Sequence, residues 1–182
     1  ATFEAEIEES FEYDASIEHY FGANGFQWPF TLDHRPTQAY VAPTGTYPGL
    51  WELPVSELML ATTGWSAVTG LDFNMWVSKH MTKQQAVDVF KANLELRLQG
   101  GNGAAANRAP LFFGGHTDLY AHDNTTAQDA IGSTTTVEER RAAIEEFIDY
   151  ALAYHPDVRV VPHAEILRWM QHPSGLDGTK GR

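Results

Sequence analysis

The residues best placed to do chemistry lie in Ala109-Pro110-Leu111-Phe112-Phe113-Gly114-Gly115-His116-Thr117-Asp118-Leu119-Tyr120. An apolar run with β-strand character ends in two glycines, a histidine follows at once, and an acid stands two residues further on. The glycines permit a tight backbone and the close approach of another molecule. The histidine is thereby presented at a strand end, where barrel and open-sheet folds keep their chemistry. Imidazole is the side chain suited to proton transfer near neutral pH, and Asp118 is near enough in sequence to orient it and favour its charged form. A structural or solvated histidine is the competing reading of the same residues.

Other chemistries find less support. His116, Asp118, His122 and Asp123 form the tightest group of metal-type side chains, but histidines six apart do not share a helix face, and the spacing is not diagnostic of a cation site. His19, His34, His80, His155, His163 and His172 are scattered without partners at ligand spacing. Gly-x-Ser-x-Gly, Gly-x-Gly-x-x-Gly and the Walker pattern are all absent, which argues against a nucleophile-elbow hydrolase and against phosphate loops. Aromatic residues are abundant (Phe26, Trp28, Phe30, Tyr40, Tyr47, Trp51, Trp65, Trp76), and flat rings beside polar groups suit stacking on sugars, although rings more often serve a core.

The elements that must position these residues come from a chain of 182 residues, within the range of one domain, with 43% hydrophobic and 12% aromatic side chains. A formal charge of −12 excludes ordinary nucleic-acid binding and disfavours anionic membranes. Much of the acid sits in Glu4, Glu6, Glu8, Glu9, Glu12, Asp14 and Glu18, read as a solvated face. The absence of cysteine removes disulfides, thiolate nucleophiles and cysteine-based zinc sites. No apolar run approaches the roughly 18 residues that span a bilayer, and no signal peptide is visible at Ala1-Thr2-Phe3-Glu4.

Alternation of Phe11, Tyr13, Ala15 and Ile17 predicts a strand, and residues 22–49 predict a long irregular connection rich in aromatics and proline. Leu50 to Val55 reads as a strand that Pro54 ends or places at an edge. Thr82-Lys83-Gln84-Gln85 opens a helix to about Leu98 with a stripe of Val87, Phe90, Leu94 and Leu98, stopped by Gly100-Gly101-Asn102-Gly103. Thr136-Val137-Glu138-Glu139 opens a second helix that Pro156 ends. Leu111 to Phe113 and Val158 to Val161 read as strands, and Ala164 to Gln171 as a short amphipathic helix. The order implies an α/β architecture with parallel pairing, one unit over 1–173 and a flexible tail over 174–182. Asn124-Thr125-Thr126 is a sequon that matters only in a eukaryotic secretory protein.

Several stretches, taken in order, resemble the metal-dependent polysaccharide deacetylases, the family of chitin and peptidoglycan deacetylases. Phe11-Glu12-Tyr13-Asp14-Ala15-Ser16-Ile17 is similar to that family's Gly-Phe-x-Tyr-Asp-Ser-Ser stretch. Trp28-Pro29-Phe30-Thr31-Leu32-Asp33 and Pro48-Gly49-Leu50-Trp51-Glu52-Leu53-Pro54-Val55 resemble segments of its chitin-deacetylase-like branch. Asn107 to His116 resembles the late strand that ends in the family's catalytic histidine, and Ile166 to Pro173 its closing helix. The Thr-Phe-Asp-Asp and His-x-x-x-His motifs that hold the family's metal do not occur, nor does Arg-x-Pro-Tyr, and Gly114-Gly115 replace the usual residues before the histidine.

The resemblance therefore implies the C-terminal portion of a distorted (β/α) barrel of the polysaccharide deacetylase type. It implies a hydrolase that removes acetyl groups from N-acetylated polysaccharide or oligosaccharide such as chitin, with activity needing an upstream segment. His116 would be the catalytic residue that protonates the departing amine, Asp118 the orienting acid, and Trp51, Gly115 and Tyr120 the substrate-binding residues. A divalent metal, zinc or similar, is the implied cofactor, with none of its ligands found in this chain. The implied partners are a carbohydrate substrate and either the missing N-terminal segment or a second copy, since a half barrel leaves strand edges unpaired; the implied location is secreted or periplasmic. The alternative from a different class is a catalytically inactive carbohydrate-binding module derived from the same fold.

Overall fold

The computed structural model describes residues 2–22, 24–60, 66–69, 72–101, 105–121 and 133–175. His122, Asp123, the sequon at 124–126, Trp65 and most of the expected tail lie outside these residues.

The acidic head forms helix α1 (Thr2–Glu8), which buries no residue of its own. Two chain passages then run side by side: β1 (Tyr13–Asp14) pairs in parallel with β4 (Trp51–Glu52), and β2 (Glu18–His19) pairs in parallel with β5 (Val55–Leu60). The backbone bridges continue between them, from Leu53 N–H to the Asp14 carbonyl at 2.9 Å and from Val55 N–H to the Ile17 carbonyl at 3.1 Å. Pro54, which has no N–H to donate, marks where the chain leaves one sheet and enters the next. The expected strand 50–55 is thus two short strands belonging to different sheets. β3 (Phe30–Thr31) adds antiparallel to β4, and β6 (Ser66–Thr69) adds antiparallel to β5 with Leu60 opposite Ser66. The result is two three-stranded sheets in a mixed α/β fold, and among the described residues the strands do not close into a barrel.

Helix α2 (Lys83–Gln99) starts at the expected capping box: Thr82 Oγ1 accepts from Gln85 N–H and the Gln85 side chain accepts from Thr82 N–H. Gly100, at φ +77°, ends it in a backbone conformation that only glycine adopts without strain. Helix α3 (Val137–Tyr154) repeats the box with Thr136 and Glu139, and helix α4 (His163–Gln171) closes the chain. The apolar stripe of α2 enters the main core, where Val87 and Phe90 meet Leu58, Leu60, Met75, Trp76, Leu119 and Ala143. Asn93 fixes α2 to β5: its carbonyl accepts from Met59 N–H at 2.8 Å while its amide donates to the Met59 carbonyl at 2.9 Å and the Val89 carbonyl at 2.8 Å. Lys83 and Lys91 both reach Glu146, joining α2 to α3 at the surface.

Two expected strands differ from the structure. Among the described residues, 111–113 and 158–161 run without ladder partners. Pro110 has no N–H to donate, and Leu111 and Phe113 are held by packing against the main core rather than by a neighbouring strand. A backbone bridge, Asp72 N–H to the Gly114 carbonyl at 3.3 Å, anchors the end of the first stretch.

Candidate functional site

That bridge brings together Asp72 and His116, 44 residues apart in the chain. Asp72 begins the helical turn that passes into a π-helical turn at Asn74–Ser78. His116 sits in extended backbone at the mouth of a tight 3-10 turn, Thr117–Leu119. Asp72 Oδ2 accepts the His116 backbone N–H at 2.7 Å, and Asp72 Oδ1 lies 2.5 Å from His116 Nδ1. Oδ1 also accepts the Phe73 N–H at 2.8 Å. The Asp72 side chain is fully enclosed while that of His116 is half exposed, at 50%. A buried carboxylate therefore grips one ring nitrogen and leaves the opposite edge of the ring, with Nε2, for solvent or a ligand. This contact raises the His116 pKa above the ordinary histidine value, chiefly through the hydrogen bond to Asp72. Partial burial opposes the shift, and the charges of Asp72 and then Asp118 add to it.

The dyad rests on a packed floor. Trp76, fully buried, donates its indole N–H to the Tyr120 hydroxyl at 3.0 Å. Burial pushes the Tyr120 pKa up, the Trp76 bond opposes that, and the nearby Asp72 charge reinforces it, so the phenol stays neutral around pH 7. A Cβ on Gly115 would stand 3.3 Å from the Tyr120 ring, 3.4 Å from the Phe113 ring and 3.6 Å from Asp72 Oδ2. One face of Gly115 thus seals the floor of the dyad. Arg140 secures the loop from below, donating from Nε to the Leu119 carbonyl at 2.7 Å and from Nη1 to the Thr135 carbonyl. The Phe73 ring meets the imidazole edge-on, with centroids 6.3 Å apart.

Of the residues singled out in the sequence, His116, Gly115 and Tyr120 come together here. Asp118 is exposed on the 3-10 turn and contributes its charge; the carboxylate hydrogen-bonded to the imidazole is Asp72. Trp51 lies in β4, and no hydrogen bond or ring contact joins it to the dyad among the described residues. Asp72 escaped the sequence reading because its partner is distant in the chain. The available signal was an acid lodged between Leu71 and Phe73, an apolar setting in which a carboxylate needs a partner.

Among the described residues no three His, Cys, Asp or Glu side chains gather as a ligand set. What the arrangement can do is hold a proton on an oriented, solvent-facing imidazole and deliver it from Nε2. No protein-family model matches the chain, and no curated protein matches it.

Proposed function

We propose that this chain carries the proton-donating part of a hydrolase that removes acetyl groups from N-acetylated carbohydrate such as chitin, as the C-terminal portion of a (β/α) barrel of the polysaccharide deacetylase type. The observation that carries the reading is the Asp72–His116 pair: a half-exposed imidazole held by a fully buried carboxylate, at the position where the deacetylase-like stretch ends. In amide hydrolysis a water oxygen adds to the acetamide carbonyl, the C–N bond breaks, and the departing nitrogen must take up a proton. His116 supplies that proton from Nε2, while Asp72 fixes the tautomer by accepting at Nδ1 and stabilises the charged form before transfer. Acetate leaves with the water oxygen and the sugar keeps the free amine.

In this reading Gly115 and Tyr120 line the approach to His116, Trp51 walls the sugar site, and a divalent cation and the water-activating base would be held by an upstream segment that carries the family's metal motifs. A secreted or periplasmic setting follows from the polymer substrate. No helix among the described residues is long and apolar enough to cross a membrane.

The test is acetate release from chitooligosaccharides by the complete gene product, wild type against His116→Asn, with thermal melts in parallel. Loss of about 100- to 10,000-fold in rate with the fold retained is the expected result. Activity within a few-fold of wild type would refute the assignment, and oligosaccharide binding without acetate release would favour a carbohydrate-binding module instead.

A further inference from the structure

A groove of about 880 Å³ opens on the side of the molecule where residues 109–113 and 158–161 run without strand partners. Its walls come from α2, α3 and α4 and are mostly apolar: Phe90, Phe113, Phe147, Ile148, Val160 and Trp169 are among them. One wall residue contradicts that character. Arg97, in the last turn of α2, is 1% exposed, and its guanidinium carbon lies 3.5 Å from the centroid of the Phe26 ring. Nε donates to the Pro110 carbonyl at 3.3 Å and Nη1 to the Asn93 carbonyl at 3.0 Å, whereas Nη2 has no hydrogen-bond partner among the described residues.

Both acceptors are neutral, and among the described residues no carboxylate acts on this guanidinium, whose pKa is pushed down by burial. The helix C-terminus favours a cation but does not cancel a full charge. The other buried arginine differs, because Arg140 lies in the fields of Asp72, Glu138 and Glu139. At the groove's rim Arg108 is already paired with Asp157. Arg97 is thus a desolvated cation whose Nη2 group is unpartnered among the described residues, set in the wall of an apolar groove, and a buried charge calls for a counter-charge.

We propose that the groove binds an apolar monocarboxylate, an acyl-chain acid whose carboxylate pairs with Arg97 Nη2 and whose hydrocarbon lies along the aromatic and aliphatic walls. The two N–H groups of one unpartnered Nη2 suit a single carboxylate, and the walls offer a long hydrophobic body what they do not offer a sugar. The site is separate from the Asp72–His116 pair and does not depend on the proposed deacetylation.

Isothermal titration of the chain with decanoate, 1-decanol and acetate at pH 7.5 tests it. Decanoate should bind one per chain, about tenfold or more tightly than decanol, since a charge-assisted hydrogen bond is worth at least that factor; acetate should show no binding over the same range. Arg97→Met should abolish the preference for decanoate over decanol, and Ile148→Trp, which fills the groove, should weaken both ligands. Equal affinity for decanoate and decanol, unchanged decanoate binding in Arg97→Met or Ile148→Trp, or no decanoate binding at all would each overturn the proposal. Should Arg97→Met fail to fold, the wild-type comparison and Ile148→Trp decide it.

Discussion

Replacing Asp72 by Asn keeps the shape of the side chain and removes its charge, which makes it the sharpest probe of the dyad. Three N–H groups converge on the carboxylate: Phe73 N–H at 2.8 Å, His116 N–H at 2.7 Å and, when the ring is protonated or carries its proton there, His116 Nδ1 at 2.5 Å. An amide offers one acceptor oxygen, so at least one of these donors would face an NH₂ group in a site from which water is excluded. One stranded buried donor costs about 1–3 kcal/mol, and taking about 2 kcal/mol gives a fall in Tm of roughly 4–8 °C for a domain of this size. The pH dependence follows from the raised His116 pKa. Its stabilising contribution is complete below the ordinary histidine value of 6.5 and is lost as pH rises through the higher folded value. Solvent screening of the half-exposed ring limits its size. Thermal melts of wild type and Asp72→Asn at pH 6 and pH 9 should therefore show a gap that is wider at pH 6. A gap that is equal at both pH values, or an Asp72→Asn protein more stable than wild type, would refute the coupling of the two residues.

Three further substitutions probe the frame around the site. Asn93→Ala strands the Met59 N–H and carbonyl and should cost about 2–4 kcal/mol in urea unfolding. Thr136→Ala removes the capping oxygen of α3 and should cost about 1 kcal/mol, seen as a small drop in Tm with unchanged helix content. Glu52 is fully enclosed and burial pushes its pKa up to about 10, so the folded state holds a proton there that the unfolded chain releases above 4.5. Wild-type stability should fall as pH rises from 5 to 9 for this reason, and Glu52→Gln should flatten that fall in melts across the range.

The parts of the fold written in local chemistry were legible. Both long helices announce themselves through Thr82–Gln85 and Thr136–Glu139, whose side chains bond backbone within one turn, and Gly100 stops α2 because its positive φ excludes other residues. The strands were harder, because their existence depends on distant partners. Val158 to Val161 has β-branched composition yet finds no strand beside it, and Leu111 to Phe113 spends its apolar side chains on the core while its backbone stays unpaired. The same limit governs the site. His116 could be singled out from Gly114-Gly115-His116, a local pattern, whereas Asp72 becomes its partner through a bridge spanning 44 residues. Trp51 stands out by its ring, as one of many aromatics suited to sugar stacking, and by resemblance, and β4 carries it into pairing with Tyr13 and Thr31.

The pH–rate profile of acetate release by the complete gene product, wild type beside Asp72→Asn, joins the geometry to the chemistry most directly. A general acid works while protonated, so wild-type turnover should hold through neutral pH and decline as pH rises through the raised His116 pKa. Removing the Asp72 charge lowers that pKa, so in Asp72→Asn the alkaline limb should move to lower pH and the maximal rate should fall. An alkaline limb that stays in place in Asp72→Asn, or a His116→Asn protein that keeps the wild-type profile, would contradict proton donation by this pair.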